Sequence, residues 1–198
     1  SSNMNNQIEI SKTSRLEQKI SLVNQHILKS ADGDNIINFF RANYKLFIHL
    51  ISHYYPLNER QIDKYKPKLD WDGISKNEMI KWNIQIILKY KQQINWKIFC
   101  SNNSVPWTSD LLKTFSEYID WEIISNLADT KFNIEMLKEF KYKLDWSKIV
   151  PKSIHLLELF KDKWDWKMIS SLGNMGEEFP WDMSIEILEK YEDKWDWD

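Results

Sequence analysis

The feature that most constrains this chain is a tryptophan that returns at a fixed interval within the same short phrase. The phrase is an apolar residue, then aspartate or asparagine, then tryptophan, and it repeats at a constant 25-residue step at Trp71, Trp96, Trp121 and Trp146. It returns as Trp-Asp-Trp at residues 164–166 and 195–197. A fixed period of this length is typical of stacked repeats, in which each unit buries its apolar face against its neighbours. The chain is therefore predicted to be a repeat array.

Each repeat is predicted to contain a short helix that begins at the phrase. The side chain before the tryptophan can cap the first free amides of a helix, and an apolar residue three positions after the tryptophan shares its face. The predicted capping residues are Asp70, Asn95, Asp120, Asp145, Asp165 and Asp196. Asn77 and Asn102 are suited to the left-handed turn that ends a helix, so we expect them in that conformation.

A second, longer helix is predicted in each repeat from two adjacent apolar residues and an aromatic three positions later. This spacing fits a helix face and not the alternation of a strand. The aromatics are Tyr90, Phe115, Phe140, Phe160 and Tyr191, and each lies six residues before the next phrase tryptophan. The steps from Trp146 to Trp166 and on to Trp197 differ from 25, and the difference falls between the two helices of the repeat. We expect insertions there, with residues 171–178 as a mobile loop.

The segment before the repeats lacks the tryptophan phrase. Residues 1–13 are predicted to be a tag remnant and a flexible tail, followed by one helix over residues 14–29 and a second that ends before Pro56. These two helices are interpreted as an N-terminal cap over residues 14–56, with the array occupying residues 57–198. The predicted fold is all-α: an α-solenoid of roughly 25-residue two-helix repeats with a helical cap. Because the chain stops just after a phrase, either the final phrase is the stub of a cap or the chain is a fragment of a longer array, and the fragment is favoured.

The pattern Asp-Trp-x-x-Ile-Ser, an asparagine-containing turn, an aromatic opening the next helix and a return to Leu-Asp-Trp resembles tryptophan-rich repeat arrays. Such arrays occur in uncharacterised proteins of bacteria and large DNA viruses. The resemblance covers roughly residues 57–198. It implies a helical repeat fold and no assigned activity, so no functional residue is transferred by it.

Composition limits which cellular compartments and disulfide arrangements are expected for the protein. The chain has 198 residues, a formal net charge of −2 and a single cysteine, Cys100, which excludes an internal disulfide. It has no run of 18 apolar residues and no N-terminal signal-peptide pattern. A soluble, cytoplasmic protein is predicted, with no membrane contact and no small-molecule substrate evident.

Two groups of side chains are candidates for binding. The recurring tryptophans are interpreted as packing residues. Trp164 and Trp195 replace a leucine or isoleucine of the phrase, which leaves open the alternative that they widen an exposed aromatic patch near the C-terminal end. Lysines recur just after the long-helix aromatics and would line one edge of the stack, where they could track phosphates or simply be solvated. The lysines are Lys66, Lys68, Lys91, Lys141, Lys143, Lys161, Lys163 and Lys194.

No catalytic arrangement is recognised, so the chain is predicted not to be an enzyme. His49 and His53 are four residues apart and could face one metal, but the sequence offers no evident third ligand, and no metal or cofactor is predicted. Cys100 occupies the position held by serines in other repeats, which favours a packed side chain over a nucleophile. The predicted function is a scaffold for protein–protein interaction, and the alternative is a nucleic-acid-binding array that uses the lysine edge.

Overall fold

The computed structural model describes residues 18, 38–39, 41–172 and 185–198. Over these ranges the backbone forms helices, turns and loops, with no strand, and the all-α prediction is confirmed. The chain divides between Ile80 and Lys81 into two compact units. The predicted boundary between cap and array, after residue 56, stays a prediction. None of the helices in the described ranges is both long enough and apolar enough to cross a lipid bilayer.

The first unit contains three described helices: α1 (Tyr44–Tyr54), α2 (Glu59–Tyr65) and α3 (Trp71–Lys76). Helix α1 ends before Pro56, as predicted. Three predictions lie outside the described residues: the start of this helix, the tail over residues 1–13 and most of the helix over residues 14–29. Helix α2 begins with a capping box in which Asn58 and Gln61 bond each other's backbone amides.

The described helices of the second unit alternate between those that begin at a phrase and those that follow. In chain order they are α4 (Ile84–Tyr90), α5 (Trp96–Phe99), α6 (Ser109–Thr114), α7 (Trp121–Lys131), α8 (Ile134–Glu139), a 3-10 helix (Trp146–Lys148), α9 (Ile154–Leu159), α10 (Trp166–Ser171) and α11 (Ile185–Lys190). Most of the predicted loop over residues 171–178 lies outside the described residues.

The predicted helix caps are present at every phrase whose helix is described. The side-chain oxygen of the phrase aspartate or asparagine accepts a backbone amide two or three residues later, in Asp70, Asn95, Asp120, Asp145 and Asp165. The apolar residue three positions after each tryptophan is almost completely buried in Ile74, Phe99, Ile124, Ile149 and Ile169. The long-helix aromatics Tyr90, Phe115, Phe140, Phe160 and Tyr191 are buried as well. The repeating sequence positions are therefore the repeating core.

The prediction that a short helix is followed by a longer one is wrong for the repeat that begins at Trp121. Helix α7 has 11 residues, whereas α8, which follows it, has six. The phrase at Trp146 instead begins a 3-10 helix of only three residues. Pro151 limits how far a helix can extend here, because a proline disfavours the α conformation of the residue before it, Val150.

The left-handed conformation predicted for Asn77 is also wrong. Its backbone is extended, with φ −68° and ψ 117°. The buried side chain instead joins the end of α1 to the turn after α3: its amide donates to the carbonyls of Ser52 and Tyr55, and its oxygen accepts from the amides of Met79 and Ile80. These four bonds satisfy the side chain fully, so the role of Asn77 in this structure is hydrogen bonding and not backbone freedom.

Candidate functional site

One turn has the same construction throughout the described repeats. We call it the constant turn: the six-residue step from the aromatic that ends one helix to the next phrase tryptophan. In each case the indole N–H donates to the carbonyl oxygen five residues earlier, at 2.8–3.2 Å, in Trp71, Trp96, Trp121, Trp146, Trp166 and Trp197. A phenylalanine would lack the donor, so the bond explains why this position is tryptophan and not any aromatic.

The phrase tryptophans also contact the aromatic of the helix that follows. The ring centroids lie 5.0–5.5 Å apart for Trp96–Phe115, Trp121–Phe140, Trp146–Phe160 and Trp166–Tyr191, with similar tilts. These separations suit favourable aromatic pairs. The contact is preserved although the sequence between its two members varies in length.

A small side chain four residues after the tryptophan links each of several phrases to the next, and it is fully buried in Ser125 and Cys100. The Ser125 hydroxyl donates to the Trp121 carbonyl and accepts the amide of Asp145 at 2.9 Å. Ser170 makes the same two bonds, to Trp166 and Asp196. In Cys100 the thiol accepts the Asp120 amide at 3.4 Å. The interpretation of this cysteine as a packed side chain is confirmed: it is fully buried, and burial raises its pKa to about 11.

The predicted lysines lie on the constant turns, where several of them face aromatic rings. Lys141 and Lys163 place their ammonium groups 5.0 and 4.1 Å from the centre of the Tyr142 ring, which is 79% exposed. Lys143 lies 5.4 Å from the Trp121 ring, and Lys91 lies 5.8 Å from that of Tyr118. Contacts of this kind join neighbouring constant turns and hold the amines close to π faces.

The remaining predicted lysines are less organised. Lys68 and Lys161 are exposed, and Lys66 is half-buried and contributes its carbonyl to Trp71. Lys194 lies 3.8 Å from Asp162, which partly neutralises it. The structure therefore gathers Lys141, Lys143 and Lys163 around two adjacent turns but does not show a continuous cationic edge.

The alternative interpretation, in which Trp164 and Trp195 widen an exposed aromatic patch, is wrong. Their exposed fractions are 5% and 8%. Each ring meets the preceding phrase tryptophan edge-on, at 4.9 Å from Trp146 and 5.1 Å from Trp166. The indole takes the core position that leucine or isoleucine holds in the other phrases. Burial there removes its apolar surface from water, which stabilises the fold more than exposure would.

Trp164 nevertheless lines a cavity of about 430 Å³ in the second unit. Its other apolar lining residues are Ala128, Phe132, Ile134, Leu137, Ile149, Val150 and Leu156. Asp129, Glu135 and Lys152 stand around it, with Lys152 3.9 Å from Asp129. The cavity lies where the 3-10 helix is much shorter than α7 before it, so the end of α7 and the start of α8 lack the cover that a longer helix would supply.

In the first unit, the structure adds a third polar side chain to the two histidines of α1. The Oδ2 atom of Asp70 lies 3.1 Å from Nδ1 of His49 and 3.5 Å from Nε2 of His53. The two imidazole rings are 4.1 Å apart between centroids. The three ligating atoms lie within 4.8 Å of one another, and this is the one such group of histidine, cysteine or carboxylate side chains found in the described ranges. Sequence spacing alone did not identify Asp70, which is 21 residues from His49.

The protonation of this cluster follows from its surroundings. Burial, together with the neighbouring His49, holds the pKa of His53 below its ordinary value, although Asp70 partly opposes the shift. Burial also raises the pKa of Asp70, but hydrogen bonds from the Gly73 amide and from His49 outweigh it, so the net shift is downward. A neutral His53 facing an ionised Asp70 is therefore the favoured state near neutral pH.

A repeat position in α1 was missed by the sequence reasoning. Ser52 accepts the amide of Asp70 at 2.9 Å, as Ser125 does for Asp145. The signal was present, because Ile51-Ser52 matches Ile74-Ser75 and Ile124-Ser125. The tryptophan position is Ile48 here, and its absence hid the match.

The chain shows no significant similarity to any protein-family description, curated protein or solved structure in the comparisons made with each. Its candidate sites therefore rest on its own geometry.

Proposed function

We propose that the chain is a helical-repeat scaffold, an α-solenoid without catalytic activity of its own, that binds another protein. Two sets of contacts support the stacking of successive repeats in chain order. The serine hydroxyls and the thiol connect one phrase to the next, and side chains connect adjacent constant turns. Repeats that contact only their sequence neighbours are the basis of solenoid architecture.

The cavity beside Trp164 is the observation that carries the binding proposal. Its volume of about 430 Å³ falls in the usual range of binding pockets, and its walls are mainly apolar. Protein interfaces commonly depend on one apolar or aromatic anchor that fills such a pocket, with polar residues at the rim. Asp129, Glu135 and Lys152 supply charges of both signs near the opening. The partner would thus present an apolar anchor flanked by charged residues.

Selection of binding peptides from a random phage-displayed library tests this proposal. We expect the peptides that bind the purified chain to share an apolar or aromatic anchor. Val150→Lys, at the cavity wall, should weaken the selected peptides by at least about tenfold, which corresponds to roughly 1.4 kcal/mol. Ile98→Lys is the matched control, because Ile98 is similarly half-buried but does not line the cavity, and it should leave binding within about twofold. Unchanged binding to Val150→Lys, or no enrichment of any peptide, would overturn the proposal.

Nucleic acid is the second candidate partner, favoured by one observation. Tyr142 is exposed between two ammonium groups, and an exposed aromatic beside cations can stack on a base while the cations meet phosphates. Acidic residues interrupt the series of constant turns at Glu117, Asp162, Glu192 and Asp193, which weakens a continuous phosphate track. A protein partner is therefore preferred.

Binding of a fluorescent single-stranded oligonucleotide, measured over a range of salt concentrations, separates the two candidates. Under the scaffold proposal we expect no specific binding. Tight binding with a steep fall in log affinity against log salt, lost when Lys141, Lys143, Lys161 and Lys163 are replaced together by serine, would assign the function to nucleic acid instead.

A further inference from the structure

We propose that His49, His53 and Asp70 bind one divalent transition-metal ion, and that zinc fits this ligand set best. Two imidazole nitrogens and one carboxylate oxygen are ordinary zinc ligands. The set is less suited to calcium or magnesium, which favour oxygen ligands. The site belongs entirely to the first unit and does not depend on the function proposed for the cavity.

The distances already approximate a coordination site. Ligands at about 2.0–2.1 Å from a tetrahedral zinc ion are roughly 3.3 Å from one another. The two measured separations from Asp70 Oδ2, 3.1 Å to His49 and 3.5 Å to His53, lie on either side of that value. The ion would replace the direct contacts among these groups. His49 and Asp70 remain partly exposed, so water can reach a fourth position.

Gly73 indicates that the fold makes room for this arrangement. A Cβ atom at residue 73 would lie 2.4 Å from Cδ2 and 2.8 Å from Nε2 of His53. The corresponding position, two residues after the phrase tryptophan, holds Ile98, Ile123, Lys148 and Met168 in the other repeats. The one repeat with glycine here is thus the one in which a histidine ring of α1 occupies the adjacent space.

The carboxylate is also held in place by bonds that do not use its histidine-facing oxygen. Asp70 Oδ1 accepts the amide of Asp72 at 3.2 Å, and the Asp70 amide donates to the buried hydroxyl of Ser52. The helix cap therefore orients Oδ2 toward α1. Fixed ligands of this kind lower the conformational cost of binding an ion.

Cobalt(II) titration of the full 198-residue chain, prepared without a histidine tag, tests the proposal. We expect one cobalt ion per chain, with visible d–d absorption that zinc abolishes by displacement. The variants His49→Ala and Asp70→Asn should each weaken binding by at least about tenfold. Asparagine preserves the cap, as Asn95 shows at the same position of the next repeat, so the Asp70→Asn chain should fold normally. Circular dichroism verifies this.

His155→Ala is the matched histidine control, because His155 is exposed on α9 and lies outside the cluster. It should bind cobalt like the unmodified chain. Gly73→Ala should weaken binding by displacing the His53 ring. The proposal would be overturned if the chain did not bind cobalt stoichiometrically. It would also be overturned if His49→Ala and Asp70→Asn bound cobalt as strongly as the unmodified chain.

Discussion

The two sides of each repeat behave differently. The constant turn keeps its six-residue length and its indole-to-carbonyl bond at every described phrase. The opposite side consists of the phrase helix and its connection to the helix that follows, and its length varies. The phrase helix alone ranges from the three-residue 3-10 helix at Trp146 to the 11 residues of α7. The constant turn is over-determined by hydrogen bonds and ring contacts, whereas the variable side is free to change length. The cavity is formed on the variable side, so irregularity in the repeats, and not the repeat itself, creates it.

Insertion of Gly-Ser-Gly on each side tests this difference most strongly. After Glu117, in a constant turn, the insertion separates Phe115 from Trp121 and breaks the bond from Trp121 to the Ser116 carbonyl. We expect a loss of about 4 kcal/mol or more in the free energy of unfolding, because packing and buried bonds fail together. Urea denaturation measures it.

The matched insertion after Asn103 falls on the variable side, in an exposed turn. We expect it to cost less than about 2 kcal/mol, since it mainly adds loop-closure entropy and loses the local bond from Ser104 to Asn102. Equal costs at the two positions would refute the distinction between the sides.

Trp121→Phe sharpens the comparison by removing the indole donor while keeping an aromatic ring. We expect a loss of about 1–3 kcal/mol, from the bond to Ser116 and the reduced volume against Phe140. Trp197→Phe is the control, because the same bond to Glu192 is made by a ring that is 66% exposed. It should cost less than about 1 kcal/mol by the same urea measurement, because water replaces an exposed bond readily. A cost at residue 121 no larger than at residue 197 would show that the less exposed bond at Trp121 adds no stability.

The smallest expected effect concerns the thiol that connects two phrases. Burial raises the pKa of Cys100 to about 11, against an ordinary value of 9.0, so near pH 8 the folded chain holds about 100-fold less thiolate than an unfolded one. Iodoacetamide should therefore label the native protein at least about 100-fold more slowly than the urea-unfolded protein. The native rate should rise with pH up to about 11, until the thiol is ionised. Comparable labelling rates for native and unfolded chains at pH 8 would contradict the buried position of Cys100.

Much of the regular structure was predictable because its causes are local. The capping role of Asp70 and the burial of Ile74 follow from spacing along one helix turn. Pro151 is visible in the sequence too, and the early end of the 3-10 helix before it follows from a local steric rule. The short helix and the longer helix were assigned in the wrong order for α7 and α8, since helix length depends on where the next cap falls.

The candidate sites were less predictable because they join residues that are distant in sequence. Asp70 was foreseen as a cap, but only the packing of α1 on α3 brings its second oxygen to His49 and His53. Trp164 was foreseen as unusual, yet its burial and its place in the cavity wall depend on what surrounds it. The spacing of residues along one helix does not predict which distant side chains surround Asp70 or Trp164.

The sequence by itself determined an all-helical chain with a repeated core, because caps, helical periodicity and the tryptophan interval act over a few residues. Tertiary structure alone decided which side chains meet: the carboxylate with the two histidines, the glycine with the imidazole ring, and the shortened repeat with its uncovered neighbour. Contacts between elements depend on how the elements pack, and packing is set by the volume and shape of all the side chains together.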